Sequence, residues 1–200
     1  RLACVGRASD GVGHRVEDDD LEHLAVFGFP PITLLMELGR LLSDLNGVTV
    51  FGRHREPHPG WAWPDDSPGL SFQLRKGLPR HKHVALKLAV SAEIGDDRVR
   101  TVLGDDVSIW EIRSSEFGTN VLRNQSALSD YRKLVGRVLD EIKTDHGNDV
   151  RLSVFPAVPT TCAIEFGRVW QPKAHPSFEI YDETPSGFVW RHRISSKPMT

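Results

Sequence analysis

An internal repeat is the feature that most constrains the fold of this 200-residue chain. The segment from Val26 to Arg40, VFGFPPITLLMELGR, aligns without a gap on the segment from Val154 to Arg168, VFPAVPTTCAIEFGR. Seven of the 15 aligned positions are identical, whereas unrelated segments would share about one. Each copy is followed by a short run of β-forming residues and then by a tetrad of the form Gly-aromatic-small-Trp, GWAW and GFVW. The repeat therefore predicts two related halves that pack together.

Each copy of the repeat has the pattern of a strand, a tight loop and a helix. The apolar run before the loop is typical of a buried parallel strand. Pro31 and Pro159 suit the first turn of a helix, where the missing N–H would have no partner. An apolar stripe at helical spacing follows in the first copy, made of Leu35, Leu38, Leu41, Leu42 and Leu45. Gly39 and Gly167 occupy the same position in both helices, which predicts a close approach between the two backbones.

The remaining segments alternate between strand and helix patterns. Residues 84–94 have the alternation of a long amphipathic strand, and residues 107–112 and 150–155 are predicted as further strands. An apolar stripe predicts a helix over about 126–146 that ends near a glycine. Residues 56–83, rich in proline and glycine, are predicted to form an irregular connection with a possible hairpin. This order predicts an α/β fold of two halves with mostly parallel sheets and covering helices.

Composition excludes several classes of protein. With 25 basic and 27 acidic residues, the net charge is −2, which argues against a general DNA or RNA binder. Cys4 and Cys162 form no CxxC pair, so neither a zinc site nor a disulfide framework is expected. No apolar run approaches the roughly 20 residues of a membrane span and no signal peptide is recognisable, so we expect a cytoplasmic protein. Residues 1–23 are polar and acidic, and we expect them to be a linker or lead-in segment of a longer polypeptide.

The candidate ligand-binding residues lie where the predicted parallel strands end. Ligands of such sheets bind outside the carboxyl ends of the strands, where helix N-termini favour phosphate groups. The repeat offers this surface twice, so that two similar halves would form a pseudo-twofold pocket. The candidates are Phe29, Pro30, Pro31 and Thr33 in the first copy and Pro156, Ala157, Pro159, Thr160 and Thr161 in the second. Helix–sheet packing without a ligand explains the same residues equally well.

Further candidates follow two other predicted strands. Guanidinium groups after the strand at 48–51 could bind phosphates or stack on a base, and the loop after 107–112 carries side chains that could read a base edge. The candidates after the strand at 48–51 are Arg53, His54 and Arg55. Those after the strand at 107–112 are Arg113, Thr119, Asn120 and Asn124. A solvated basic turn and a plain surface loop are the alternatives. The candidate stacking residues are Trp61, Trp63, Trp110, Trp190 and Tyr181.

The sequence lacks the common catalytic and nucleotide-binding motifs. There is no GxSxG, HExxH or paired DxD motif, and the glycine fingerprints of dinucleotide and P-loop sites are absent. The HKH sequence at 81–83 is predicted to be an exposed strand start rather than a metal site. The acidic pairs at 96–97 and 105–106 are predicted to flank a turn region and keep its ends in solvent.

Two segments resemble the SAVED family. VFPAVPTTCAIEFGRVWQPKAHPSFEIYD, at 154–182, is similar to the signature of these domains. FPPITLLMELGRLLSD with VTVFGRHREPHPGWAW is most similar to the form fused behind an HNH nuclease in bacterial CBASS antiphage effectors. Because SAVED domains are similar to two fused CARF-like, Rossmann-like units, the resemblance implies a SAVED domain over 24–200, with a first half at about 24–110 and a second at about 111–194.

The resemblance implies a sensor rather than an enzyme. The expected ligand is a cyclic di- or trinucleotide, for this branch a cyclic dinucleotide similar to cGAMP. Ligand binding is expected to drive oligomerisation and so activate the fused DNA endonuclease of the parent protein. We expect no catalytic residues, metal, cofactor, membrane contact or direct nucleic-acid binding in this domain. The alternatives are a ring nuclease that cleaves the cyclic nucleotide and an oligomerisation module without a ligand.

Overall fold

The computed structural model of the chain describes residues 23–29, 31–43, 45–54, 59–63, 69–78, 81–147 and 149–195. The elements follow in the order β1 (Leu24–Phe27), α1 (Ile32–Leu41), β2 (Val48–Phe51), β3 (Phe72–Arg75), β4 (His83–Ala89), α2 (Asp96–Leu103), β5 (Ser108–Ser114), α3 (Gln125–His146), β6 (Arg151–Ala157), α4 (Thr160–Val169), β7 (Phe178–Thr184) and β8 (Gly187–Ile194). The predicted lead-in segment up to residue 22 and the candidates Pro30 and Arg55 lie outside the described residues.

The strands form a six-stranded sheet and a two-stranded sheet. The larger sheet has the order β3-β5-β4-β6-β7-β8, with its four inner strands parallel and its two edge strands antiparallel to their neighbours. β1 and β2 pair in parallel as the smaller sheet. Helices α3 and α4 cover one face of the larger sheet and α2 covers the other. This mixed architecture with mostly parallel strands confirms the predicted fold class.

The two copies of the repeat pack against each other through α1 and α4. Both helices begin directly after a proline, Pro31 or Pro159, as predicted. A Cβ atom added to Gly39 would overlap the carbonyl oxygen of Ile164, and one added to Gly167 would overlap the carbonyl oxygen of Met36. The predicted backbone contact is therefore confirmed, and it is reciprocal. It places the first turns of the two helices in related positions about a local pseudo-twofold axis.

Helix α3 agrees with its prediction in both position and ends. The Oδ1 atom of Asn124 accepts a hydrogen bond of 2.7 Å from the backbone N–H of Ala127, which caps the N-terminus. The helix ends at Gly147, whose φ of 86° lies in the region that glycine adopts most easily. Its apolar stripe packs on the sheet face that α4 also covers.

The strand predicted over 84–94 is shorter than expected and is not amphipathic. β4 ends at Ala89, and it lies between β5 and β6 with both faces covered. Lys87 is consequently only 3% exposed, and its Nζ atom contacts carboxylate oxygens of Asp96 at 2.6 Å and Glu111 at 2.9 Å. A central strand with helices on both faces has no solvent side, so the alternation in its sequence does not report exposure.

Two elements differ from the predicted turn and connection. The segment predicted as a turn between the acidic pairs is helix α2, and Asp96 bonds to Arg75 and Lys87 instead of standing free in solvent. The segment predicted as an irregular connection contains β3, which pairs antiparallel with β5. In α1, Leu41 was expected in the core but is 62% exposed, because the buried face is centred on Leu35 and Met36. Across the described ranges, no helix has both the length and the apolar character needed to cross a membrane.

Candidate functional site

The loops that follow the parallel strands meet on one side of the molecule, which we call the carboxyl edge. It comprises the described parts of loops 28–31, 52–54, 90–95, 115–124 and 158–159. Three contacts join loops from different strands. The Nδ1 atom of His54 lies 3.2 Å from Oδ1 of Asn120, the N–H of Gly118 donates to the carbonyl of Ser91 at 3.0 Å, and a Cβ on Gly52 would lie 3.1 Å from Cγ2 of Thr161. The carboxyl edge is therefore a continuous surface built from both copies of the repeat.

The first turns of α1 and α4 both begin on this edge. Neither helix has a side-chain cap in the described part of the chain, so N–H groups of each first turn remain available for an anion. Thr33 is 6% exposed, and its Oγ1 atom has no hydrogen-bond partner among the described residues. Thr161, the equivalent residue of the second copy, is 2% exposed. Both threonines thus lie at the buried base of the helix starts.

His54 and Trp63 carry buried polar atoms that the described residues leave unpaired. His54 is 4% exposed, and while its Nδ1 atom contacts Asn120, no described residue bonds to its Nε2 atom. The Nε1 atom of Trp63 is also buried and has no hydrogen-bond partner among the described residues. The rings of His54 and Trp63 pack edge to face, with their centres 5.5 Å apart. Because buried polar groups are nearly always hydrogen-bonded, these two atoms are suited to meet a polar group from a ligand or from water.

Phe29, Arg53 and Trp61 form a cluster of aromatic and cationic groups next to His54, in which Phe29 and Arg53 are exposed and Trp61 is half-buried. Phe29 is 62% exposed, with its ring edge to face against Trp61 at 5.2 Å. The Cζ atom of Arg53 lies 5.7 Å from the centre of the Phe29 ring. Trp61 is held from below by Phe27 at 5.0 Å. The cluster can stack on a planar group while its guanidinium attracts a phosphate.

The loop after β5 brings together a second set of predicted residues. Arg113 forms an ion pair with Glu93 at 2.8 Å, and its Cζ atom lies 4.6 Å from the centre of the Phe117 ring. Thr119 and Asn120 line a cavity of about 310 Å³. The other lining residues are Gly69, Leu70, Ser115, Glu116, Phe117, Gly118, Val121 and Arg123. Glu116 and Phe117 escaped the sequence analysis, although their place directly after a predicted strand could have identified them.

Several predicted residues have structural contacts instead of facing the carboxyl edge. Asn124 caps α3, and Pro156 is buried in β6 opposite Leu88. Tyr181 stacks on Phe155 at 4.9 Å on the sheet face that α2 covers. Trp110 as a stacking residue is wrong, because it is fully buried and its Nε1 atom donates to His146 at 3.2 Å.

The remaining candidates occupy the second copy and the sheet edge. Ala157 presents its carbonyl to the N–H groups of Val90 and Ser91, at 3.0 and 2.7 Å. Thr160 opens α4. Trp190 is 51% exposed on the edge strand β8. Among the described residues there is no group of three or more His, Cys, Asp or Glu side chains that could hold a metal ion.

Comparisons with known proteins identify the fold and the family. No curated protein matches the chain. The solved structures that resemble it include the Acinetobacter baumannii Cap4 SAVED/CARF-domain containing receptor with the cyclic trinucleotide 2'3'3'-cAAA, at a TM-score of 0.62 and 13% identity, covering 86% of this chain and 38% of that one. The same receptor with 3'3'3'-cAAA gives a TM-score of 0.61 at 13% identity and the same coverages. A third structure, of the Acinetobacter baumannii Cap4 SAVED/CARF-domain containing receptor, gives a TM-score of 0.59 at 12% identity and covers 86% of this chain and 36% of that one.

The chain therefore spans little more than a third of the length of those receptors, and at these identities the similarity shows the fold alone. The family is shown by the sequence itself. Residues 9–194 match the SMODS-associated and fused to various effectors sensor domain. This match extends over most of the chain and includes both copies of the repeat. The chain belongs to the SAVED family of sensor domains.

Proposed function

We propose that this chain is a sensor that binds a cyclic oligonucleotide at the carboxyl edge. The observation that carries the proposal is the pair of uncapped first turns, α1 and α4, which the repeat places on one continuous surface. A cyclic oligonucleotide carries phosphates at regular spacing around a ring, which suits two related anion positions. The Cap4 receptor, which has a similar fold, has been solved with the cyclic trinucleotides 2'3'3'-cAAA and 3'3'3'-cAAA.

The side chains around the two helix starts suit the other parts of such a ligand. Phe29 with Arg53 provides a stacking surface for a base, and such stacking is worth about 1–3 kcal/mol per base. The Nε2 atom of His54 and the Nε1 atom of Trp63 are buried and have no hydrogen-bond partner among the described residues, so they provide polar positions for a ligand. The two copies differ here, because Ala157 stands where the first copy has Phe29. This asymmetry favours a small ligand with two different bases, and we propose a cyclic dinucleotide similar to cGAMP.

We further propose that binding acts on the parent protein through assembly. A ligand that contacts both copies of the repeat stabilises one arrangement of them and shifts the population toward it. In the parent, the favoured arrangement would oligomerise and activate a fused HNH DNA endonuclease. The division into halves at about 24–110 and 111–194 stays a prediction. β4, β5 and β6 belong to the same sheet.

A thermal-shift panel of cyclic di-, tri- and tetranucleotides in each linkage tests the proposal directly. A ligand at about 100 times its Kd stabilises the folded state by roughly 2.7 kcal/mol, which raises the melting temperature measurably. The expected result is a shift with one class of cyclic oligonucleotide and recovery of that ligand intact. A cooperative melt that no member of the panel shifts would contradict the sensor and favour the oligomerisation module. Linear product after incubation would instead indicate a ring nuclease.

A further inference from the structure

The cavity beside Asn120 is shaped by a loop that several contacts hold in place. The hydroxyl of Ser114 donates to the carbonyls of Val90, at 2.9 Å, and of Glu116. The N–H of Gly118 donates to the carbonyl of Ser91, and the Nε atom of Arg123 donates to the carbonyl of Asn120, both at 3.0 Å. The cavity measures about 310 Å³, and its walls are therefore largely formed before a ligand arrives.

One wall of the cavity offers an aromatic surface. Phe117 lines it and is 39% exposed. The guanidinium of Arg113 lies over this ring at 4.6 Å, and Glu93 holds that guanidinium through an ion pair of 2.8 Å. A phenyl ring fixed in this way can stack on a nucleobase, and the nearby cation adds to the attraction. The volume admits a purine.

A second wall offers hydrogen-bond acceptors. The carboxylate of Glu116 is exposed and lines the cavity, and an ionised carboxylate only accepts hydrogen bonds. The Watson–Crick edge of guanine presents two adjacent donors, the N1–H and the 2-amino group, which match the two oxygens of a carboxylate. Adenine instead presents one donor, the 6-amino group, beside an acceptor at N1, so one carboxylate oxygen would face a lone pair. The Glu116 carboxylate therefore favours guanine over adenine.

We propose that this cavity is a guanine subsite, in which Phe117 stacks on the base and Glu116 accepts hydrogen bonds from N1–H and the 2-amino group. This inference rests on the proposed function, because it assigns one base of the proposed cyclic oligonucleotide. The loop links the subsite to the first copy of the repeat through the contact between Asn120 and His54, 3.2 Å apart. A guanine bound there would lie next to the Phe29 and Arg53 cluster, which remains available for a second base.

Isothermal titration calorimetry on the full chain tests the subsite with cyclic di-GMP, cyclic GMP–AMP, cyclic di-AMP, cyclic tri-AMP and the inosine analogue of the best guanine ligand. We expect a guanine-containing ligand to bind tightest. Glu116→Gln should weaken that ligand at least tenfold, and replacing guanine by inosine, which lacks the 2-amino group, should weaken binding to the wild type. When both changes are combined, the fold-loss in affinity should be smaller than the product of the two separate fold-losses, because both changes act on the same hydrogen bonds.

Glu141→Gln is the matched control. Glu141 is a carboxylate of α3 that pairs with Lys76 at 3.0 Å and lines no cavity at the carboxyl edge, so this variant should keep both affinity and base preference. Phe117→Ala should weaken the guanine ligand while leaving the melting temperature of the free chain unchanged within a few degrees. A shift in base preference is the readout that a merely structural role of Glu116 would not produce.

The outcomes separate this inference from the proposed function. If no ligand in the set binds, the proposed function fails. If an adenine-only ligand binds tightest, or if Glu116→Gln binds the guanine ligand as well as the wild type does, the guanine subsite is overturned while the sensor remains. Equal losses in the Glu116→Gln and Glu141→Gln variants would also overturn it, since they would indicate a general effect of charge.

Discussion

Glu165 and Glu37 occupy the same position of the repeat but lie in different surroundings. Glu165 is 3% exposed and contacts Arg168 and Arg132, each at 2.9 Å. Glu37 is 26% exposed and contacts Arg40 of its own helix, with His192 of β8 at 3.5 Å. The difference arises because α4 lies inside the molecule, between α1 and α3, whereas α1 has an exposed outer face.

The exposure of the two carboxylates predicts unequal costs for the same substitution. Glu165→Gln should lower the free energy of unfolding by about 3 kcal/mol, because it leaves Arg168 buried without its charged partner. Glu37→Gln should cost roughly 0–1 kcal/mol, as expected for a solvated ion pair. Urea denaturation of both variants provides the measurement. Equal losses would show that the burial of Glu165 does not determine its contribution.

The reciprocal contact of Gly39 and Gly167 predicts that neither position accepts a side chain. Gly39→Ala gains about 1 kcal/mol of helix propensity but forces α1 away from α4, so we expect a net loss of roughly 1–3 kcal/mol. Gly167→Ala should behave alike, since its Cβ would meet the backbone of α1. Gly136→Ala is the control in α3, where the new Cβ would lie 3.5 Å from Val169 Cγ1, an ordinary contact. That variant should be neutral or more stable in chemical denaturation. Wild-type stability in Gly39→Ala would contradict the close crossing.

The ion pairs of Asp96 predict a loss of stability in acid. Hydrogen bonds from Arg75, and then from Lys87, lower the pKa of Asp96 from 3.8 to about 2, against the opposing effect of burial. Because this pKa is lower in the folded than in the unfolded state, ionised Asp96 stabilises the fold fully above about pH 4. That contribution is lost as the pH falls through about 2.

The measurement is the free energy of unfolding of wild type and Asp96→Asn between pH 7 and pH 2. The wild type should be the more stable protein at pH 7, and the difference should shrink as the pH falls from 4 toward 2. Asp130→Asn serves as the control, because Asp130 is 58% exposed and pairs with Lys133 across one turn of α3, where such pairs contribute little. A difference between wild type and Asp96→Asn that stays constant with pH would contradict the role of Asp96.

The elements with strong local signals were predictable from the sequence. The repeat located β1, α1, β6 and α4, and a stripe of apolar residues that ends near a glycine located α3. Helix α2 was missed because half of its sequence, DDRVRTVL, is charged and because it buries Val99 alone of its described side chains. Lys87 was read as an outward residue of an amphipathic strand, although α2 covers that face. Because α2 was not predicted, the face of β4 that it covers was wrongly expected to be exposed to solvent.

The candidate site was predictable in its position but not in its pairings. Strand ends and helix starts identified the loops of the carboxyl edge, because that rule depends on local order alone. The contact between His54 and Asn120 joins residues 66 positions apart, and the burial of the Trp63 Nε1 atom depends on how these loops pack. Tyr181 was misplaced for a similar reason, since its direction depends on the face of β7 that it occupies. Tertiary packing decides such features, and a single sequence does not report it.

The aromatic cluster of the first copy predicts which side chains a ligand would need. Phe29→Ala should weaken the binding of a cyclic oligonucleotide by roughly five- to 150-fold, because base stacking on an aromatic ring is worth about 1–3 kcal/mol. Trp61→Ala should have a similar effect, since Trp61 supports the Phe29 ring at 5.2 Å. Both variants should still unfold cooperatively, and calorimetric titration measures the affinity. Trp190→Ala is the matched control, an exposed tryptophan on β8 that we expect to leave affinity unchanged. Wild-type affinity in Phe29→Ala and Trp61→Ala would place the ligand elsewhere than on this cluster.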